Sequence, residues 1–175
     1  NVVLINGATG FTGQIAVQIA KHWGAGRIIA TGRNEEALEQ LLHLGAEEVI
    51  NIQNDDLSDR LKNIHAATPI DIVLDYLWGS TAEIILNSIK GNGSFTHPVR
   101  FVSIGSMGGD MIQLSSAILR GTDIQLTGSG LGSWPKPMVS ELFSGILPEM
   151  FGLAAEGKLK VDTVSIDISQ ITRAW

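Results

Sequence analysis

Cysteine is absent from this 175-residue sequence, which removes disulfides, thiolate nucleophiles and thiolate metal sites together. Basic residues are the scarcer charge, 12 Lys and Arg against 18 Asp and Glu, for a formal net charge of −6. No Lys/Arg cluster offers a footprint for a phosphodiester backbone or an anionic lipid surface, so neither nucleic acid nor membrane is expected as a partner. Long apolar runs are also missing, and none approaches the ~18 residues that a membrane-crossing helix needs. The histidines, His22, His43, His65 and His97, are scattered and form no short-spaced ligand pair, so no metal site is expected. There is no signal-peptide layout, and a cytoplasmic location is the expectation. The sequence starts on Asn1 inside a strand pattern and without Met, which reads as an excised piece of a longer protein.

What is present is a hydrophobic content of 44% against 17% charged residues, the balance of a globular chain with one sizeable core. Short β-branched runs alternate with amphipathic stretches, as in stacked βα units. The expected strands are Val2–Asn6, Arg27–Thr31, Glu48–Ile52, Asp71–Leu77, Arg100–Ile104 and Asp123–Thr127. They are mostly apolar on both faces, as strands covered by helices on two sides should be. Apolar spacing predicts the intervening helices: Ile15, Ile19 and Trp23 in the first, Leu38, Leu41 and Leu42 in the second, Leu57, Leu61 and Ile64 in the third, Ile85 and Ile89 in the fourth. Asn34 before Glu35 and Glu36 is an N-cap followed by two carboxylates at the positive end of a helix, and Gly45 suits its C-terminal stop. Right-handed crossovers then give an α/β, Rossmann-type doubly wound parallel sheet of about six strands, in the order 3-2-1-4-5-6, with helices on both faces. Beyond a Gly/Pro-rich loop at 128–137, a helix is expected over Val139–Glu156 and a further strand over Lys158–Ile168.

The most informative stretch is Gly7-Ala8-Thr9-Gly10-Phe11-Thr12-Gly13, between the first strand and the first helix. Gly7 can make the tight turn, Gly10 can let the backbone approach a pyrophosphate, and Gly13 can let the helix pack closely on the sheet. Free N–H groups and the helix dipole then meet an anion. The spacing is G-x-x-G-x-x-G, and Gln14 follows Gly13 where a P-loop needs Lys and then Ser or Thr, so nucleotide hydrolysis is not indicated. A close-packed turn with no ligand is the alternative.

The end of the second strand decides between NAD and NADP, because a carboxylate there binds the free ribose 2′-hydroxyl and repels a phosphate. Here it reads Thr31-Gly32-Arg33-Asn34. Gly32 stands where the acid is expected, and Arg33 brings a planar fork suited to a phosphate. A surface ion pair of Arg33 with Glu35 or Glu36 is the competing reading. A methyltransferase using S-adenosylmethionine also requires an acid here and meets Gly32.

With these residues in view, the sequence resembles the medium-chain dehydrogenase/reductase family in its zinc-independent quinone oxidoreductase branch. The likeness rests on Val3-Leu4-Ile5-Asn6-Gly7-Ala8-Thr9-Gly10, on Ala16-Val17-Gln18-Ile19-Ala20-Lys21, on Leu44-Gly45-Ala46 leading into Val49-Ile50-Asn51, and on the closing Ile171-Thr172-Arg173-Ala174-Trp175. The resemblance implies that residues 1–175 are the NADP(H)-binding domain of an oxidoreductase whose GroES-like catalytic domain lies outside this sequence. It implies hydride transfer from NADPH to a quinone, enone or related carbonyl compound. It places Thr9, Gly10, Phe11, Thr12 and Gly13 at the pyrophosphate, and Thr31, Gly32, Arg33 and Asn34 at the adenosine ribose. Leu77, Gly105, Ser106, Gly128 and Ser129 would lie toward the nicotinamide. It further implies a homodimer through Met111–Gly130. No catalytic residue is assigned, and the Tyr-x-x-x-Lys pair of short-chain reductases is absent, since Ser80 stands four residues after Tyr76. A non-catalytic dinucleotide-binding or assembly module stays open as the alternative. Trp78 and the segment Gly91–Pro98 are read either as the border of a pocket or as a buried aromatic and a solvated loop.

Overall fold

The computed structural model describes residues 1–91 and 96–173; most of the Gly91–Pro98 segment's interior and the final Ala174-Trp175 of the family-like ending lie outside the described residues. The elements alternate as β1 (Val2–Asn6), α1 (Phe11–His22), β2 (Arg27–Gly32), α2 (Glu35–Leu44), β3 (Glu48–Asn51), α3 (Leu57–Ala67), β4 (Ile72–Asp75), α4 (Gly79–Ser88), β5 (Val99–Ser103), α5 (Ser116–Gly121) and β6 (Ile124–Gly128). All strands pair in parallel in the order β3-β2-β1-β4-β5-β6. This is the doubly wound Rossmann-type sheet that the βα period predicts.

Strand alternation divides the apolar residues between two cores. Leu4, Ile29, Val73 and Phe101 face α3 and α4, meeting Leu61, Ile85 and Leu86. Val3, Ile5, Ile28 and Ala30 face α1 and α2, meeting Val17, Leu38 and Leu41. The α2 termini follow the expected chemistry: Asn34 Oδ1 accepts from the Ala37 N–H at 2.8 Å, and Gly45 closes the helix at φ 126°.

Chain handedness leaves one face unfinished. Right-handed crossovers put α1 and α2 on one side of β1–β3 and, after the direction reverses at β4, put the later helices on the other side. The α1-side face of β4 and β5 therefore receives no helix from a βα unit. There an apolar groove of about 630 Å³ opens between α1 and Ile72, Leu74, Tyr76 and Ile104. The apolar stripe of Ile15, Ile19 and Trp23, whose spacing predicts α1, lines this groove; the buried face of α1 carries Gly13 and Val17. On α2, Leu38 and Leu41 are buried and Leu42 is exposed.

In the C-terminal part the helix expected over Val139–Glu156 is present and begins at Lys136, whereas the strand expected after it is not. A single helical run spans Lys136–Ala155, made of α6 (Lys136–Glu141), a π turn (Leu142–Ile146) and α7 (Leu147–Ala155). Pro148 has no N–H to donate, and the wider turn absorbs the break, with Leu147 N–H bonding Leu142 O. By length and hydropathy this run could cross a membrane, although Lys136, Glu141 and Glu149 interrupt its apolar sequence, so that it contains no long unbroken apolar run. Its Glu149 carboxylate meets His22 Nε2 and Trp23 Nε1 of α1, each at 3.4 Å. Lys158–Ile168 is not a strand. It has β-branched residues but no sheet edge beside it, and both backbone polar groups of Lys160 pair with the Gln18 carboxamide of α1, at 2.8 and 2.7 Å.

At the amino edge of the sheet, half-buried His65 accepts a hydrogen bond at Nδ1 from the Ile70 N–H, 3.1 Å away. Burial and then the neighbouring His97 hold its pKa below the ordinary histidine value. A group with a depressed folded pKa binds its proton more readily in the unfolded chain, so its contribution to stability declines as pH falls through ~6.5. The Tm is expected to drop between pH 7 and 5.5, less steeply in His65→Asn, which keeps an acceptor but not the titration. Equal slopes in the two proteins contradict this.

Candidate functional site

In a parallel sheet every strand ends on the same edge, and the crevice opens where neighbouring strands send their chains in opposite directions. Here those strands are β1 and β4. The structure brings the turn after β1 (Gly7–Gly13), the end of β2 (Thr31–Asn34), Leu77 after β4, Gly105 and Ser106 after β5, and Gly128 and Ser129 at the end of β6 to this one edge.

The three glycines of the turn differ in what they permit. Gly7 takes φ +83°, and a Cβ there would lie 2.8 Å from Leu77 Cγ. A Cβ on Gly13 would lie 2.5 Å from Ala8 Cα, so its absence lets α1 rest on the turn. A Cβ on Gly10 would meet nothing within 4 Å; the space over it is open. Gly10 is the N-cap of α1, with no side-chain cap and no acid in the first turn. The N–H groups of Phe11, Thr12 and Gly13, in the first turn of α1, have no intrahelical acceptor, an arrangement able to receive an anion. Thr9 is half-buried, while Phe11 and Thr12 are exposed.

Gly32 is buried under Thr9, whose methyl would collide with a Cβ at that position. Thr31 is fully buried; its hydroxyl accepts from the Gly7 N–H at 3.2 Å and donates to Asn6 Oδ1 at 2.7 Å. It therefore shapes the turn from below. Asn34 uses its carboxamide oxygen to cap α2. Arg33 is exposed and forms no ion pair within 4.0 Å among the described residues. Glu35, its expected partner under the surface-pair reading, accepts instead from Asn54 Nδ2 at 2.8 Å.

Beneath these loops lies a polar knot that the reading of motifs missed. Asp75, fully buried at the end of β4, accepts from Asn6 Nδ2 at 2.7 Å and from the Leu77 and Trp78 N–H groups at 3.0 and 3.1 Å. Asn6 also donates to Thr81 Oγ1 of α4 at 3.1 Å. Trp78 stands at φ 56° and ψ −153°, a region that costs a residue bearing a Cβ about 1–3 kcal/mol. An amide and a carboxylate as the last residues of otherwise apolar strands were the available signal, since buried polar groups must be paired.

Comparison with known proteins adds to this geometry. The family described as "Zinc-binding dehydrogenase" matches residues 12–145. Quinone oxidoreductase 1 of Escherichia coli (strain K12) is 30% identical over 160 residues, covering 91% of this chain and 46% of that protein. The mitochondrial enoyl-[acyl-carrier-protein] reductase of Arabidopsis thaliana is 29% identical over 170 residues, covering 92% of this chain and 42% of that protein. The crystal structure of an Escherichia coli quinone oxidoreductase complexed with NADPH superposes with a TM-score of 0.76 at 28% identity, over 94% of this chain and 48% of that one. The chain thus spans less than half the length of each. Zinc does not fit these residues: the sequence has no cysteine, and no three His, Asp or Glu side chains converge among the described residues.

The glycines give a direct test. Gly13→Ala is expected to lose ~1–3 kcal/mol in urea unfolding, because backbone must move to admit the methyl. Gly10→Ala is expected to stay within ~0.5 kcal/mol of the unaltered chain while weakening dinucleotide binding. Equal destabilisation by both would make the turn purely structural.

Proposed function

The chain belongs to the zinc-binding dehydrogenase family, in its quinone oxidoreductase-like branch, and we propose that it is the NADPH-binding domain of a longer oxidoreductase. That enzyme transfers hydride from NADPH to a quinone, enone or related carbonyl compound. The observation that carries the cofactor reading is the end of β2, where buried Gly32 leaves out the carboxylate that would repel a 2′-phosphate. Next to it Arg33 stands exposed, its neighbour Glu35 engaged with Asn54. The pyrophosphate goes to the open N–H groups of Phe11, Thr12 and Gly13 over Gly10, and the nicotinamide half toward Leu77, Gly105, Ser106, Gly128 and Ser129.

When bound, the reduced nicotinamide supplies the hydride. The residues of this chain bind the phosphates and fix the orientation of the cofactor, and substrate is held with a second, GroES-like domain. The apolar groove beside α1 supports that arrangement, because an open apolar cleft of this size on a sheet face is a surface built to be covered. Asn1 sits on its rim. Association of two copies through Met111–Gly130 is part of the same reading. It is supported by β6 being an edge strand, with Met111 and Leu119 exposed beside it.

Calorimetric and thermal-shift titrations test the cofactor reading. At ~100 times its Kd, NADPH should add ~2.7 kcal/mol, a rise of roughly 5–10 °C in Tm. Arg33→Ala should weaken NADPH by about 10–100-fold, the worth of a charge-assisted hydrogen bond to a phosphate, and leave NADH unchanged. Equal binding of NADH and NADPH by the unaltered chain would overturn the assignment of Arg33. For the longer protein, NADPH oxidation with a quinone and enone panel is expected; cofactor binding without turnover of any acceptor would favour a non-catalytic module.

A further inference from the structure

We propose that Trp78, anchored on Asp75, is a positioning residue that sets the nicotinamide half of the site while leaving the adenosine half unaffected. The proposal rests on the NADPH reading above and adds to it a named device.

Trp78 is the one non-glycine residue at positive φ among the described residues, in a conformation that normally belongs to glycine. Two opposed anchors hold it there. Its ring sits edge-on against Phe101, 6.3 Å between centroids at 72°, packed on the core that α3 and α4 cover. Its N–H donates to both carboxylate oxygens of Asp75, each at 3.1 Å. Asn6 fixes one of those oxygens, so the anchor reaches down into β1.

Several parts of the site take their place from this turn. It carries Leu77 to the crevice opposite Gly7, close enough that only a glycine fits there. The Leu77 carbonyl accepts from the Gly108 N–H at 2.6 Å, and Trp78 forms a parallel bridge with Gly109. A Cβ on Gly105 would lie 2.7 Å from Tyr76 O, and one on Gly79 2.5 Å from Gly108 O. The loops after β4 and β5 thus rest on each other's backbone, and Trp78 is where both are pinned. Gly32 and Arg33 lie on the other side of β1 and touch the Trp78 turn only indirectly among the described residues, through the buried Thr31–Asn6 link and through the glycine turn between them. Displacing Trp78 moves the shelf for one half of the cofactor and spares the other.

Calorimetry with two probes separates the halves: NADPH, and adenosine 2′,5′-bisphosphate, which carries the adenosine half alone. Trp78→Gly removes the ring anchor and permits other backbone conformations. It should weaken NADPH about tenfold or more while holding the bisphosphate within about twofold. Trp78→Phe, which keeps an aromatic anchor, should stay within about twofold for both. NADPH affinity unchanged in Trp78→Gly, or both probes weakened alike, overturns the proposal. Should Trp78→Gly fail to fold, Gly108→Ala makes the same comparison, since its methyl would lie 3.0 Å from Leu77 O in an exposed loop. There the same split supports the proposal and its absence overturns it. Failure of the unaltered chain to bind the bisphosphate is a different result, and it counts against the NADPH reading itself.

Discussion

A chain of buried hydrogen bonds, from Thr31 through Asn6 to Asp75, ties together the carboxyl ends of β2, β1 and β4. These are the three strands around the point where the sheet reverses direction. Polar side chains at such depth are costly unless every donor and acceptor is met, and no buried side-chain polar atom among the described residues is left without a partner. The satisfied knot therefore fixes the relative heights of the three strand ends. The glycine turn closes on it through the Gly7 N–H and Thr31, and the Trp78 turn closes on it through Asp75. Between the two turns lies the crevice. Its upper surface is left with unpaired N–H groups, open space above Gly10 and an exposed guanidinium, the chemistry of a site for a phosphorylated dinucleotide.

Much of this was legible in the sequence because the governing signals are local. Strand runs, the Asn34 cap, Gly45 and the glycine turn each follow from a few neighbouring residues. With the handedness rule they specify the strand order. Gly13 was readable as a packing glycine for the same reason. The knot was not, because Asn6, Thr31 and Asp75 belong to different strands and only pairing reveals that their ends coincide. Trp78 was singled out, but nothing in an aromatic letter announces a backbone in glycine's territory. Lys158–Ile168 failed as a strand because propensity counts only where a sheet edge is free to accept it. The α1 stripe located its helix, but its periodicity marks an apolar face without saying what covers it.

The same topology that builds the crevice leaves the molecule asymmetric. Crossovers of one hand cover β1–β3 on the α1 side and β4–β6 on the opposite side, so an apolar groove on β4 and β5 is a consequence of the winding. In a chain spanning less than half the length of its relatives, that groove and the cofactor crevice are two distinct surfaces. One is polar, strained and precisely shaped by glycines; the other is smooth and apolar. The first suits a charged cofactor, the second a protein face.

The most direct test of the account is an amide-resolved NMR titration of the 175-residue chain with NADPH. Saturable shifts are expected at Gly10–Gly13, Gly32–Asn34, Leu77 and Gly105–Ser106, with the α1 residues lining the groove unaffected from Ile15 to Trp23. Shifts centred on the groove, or none at the glycine turn and Arg33 at saturating cofactor, would contradict it.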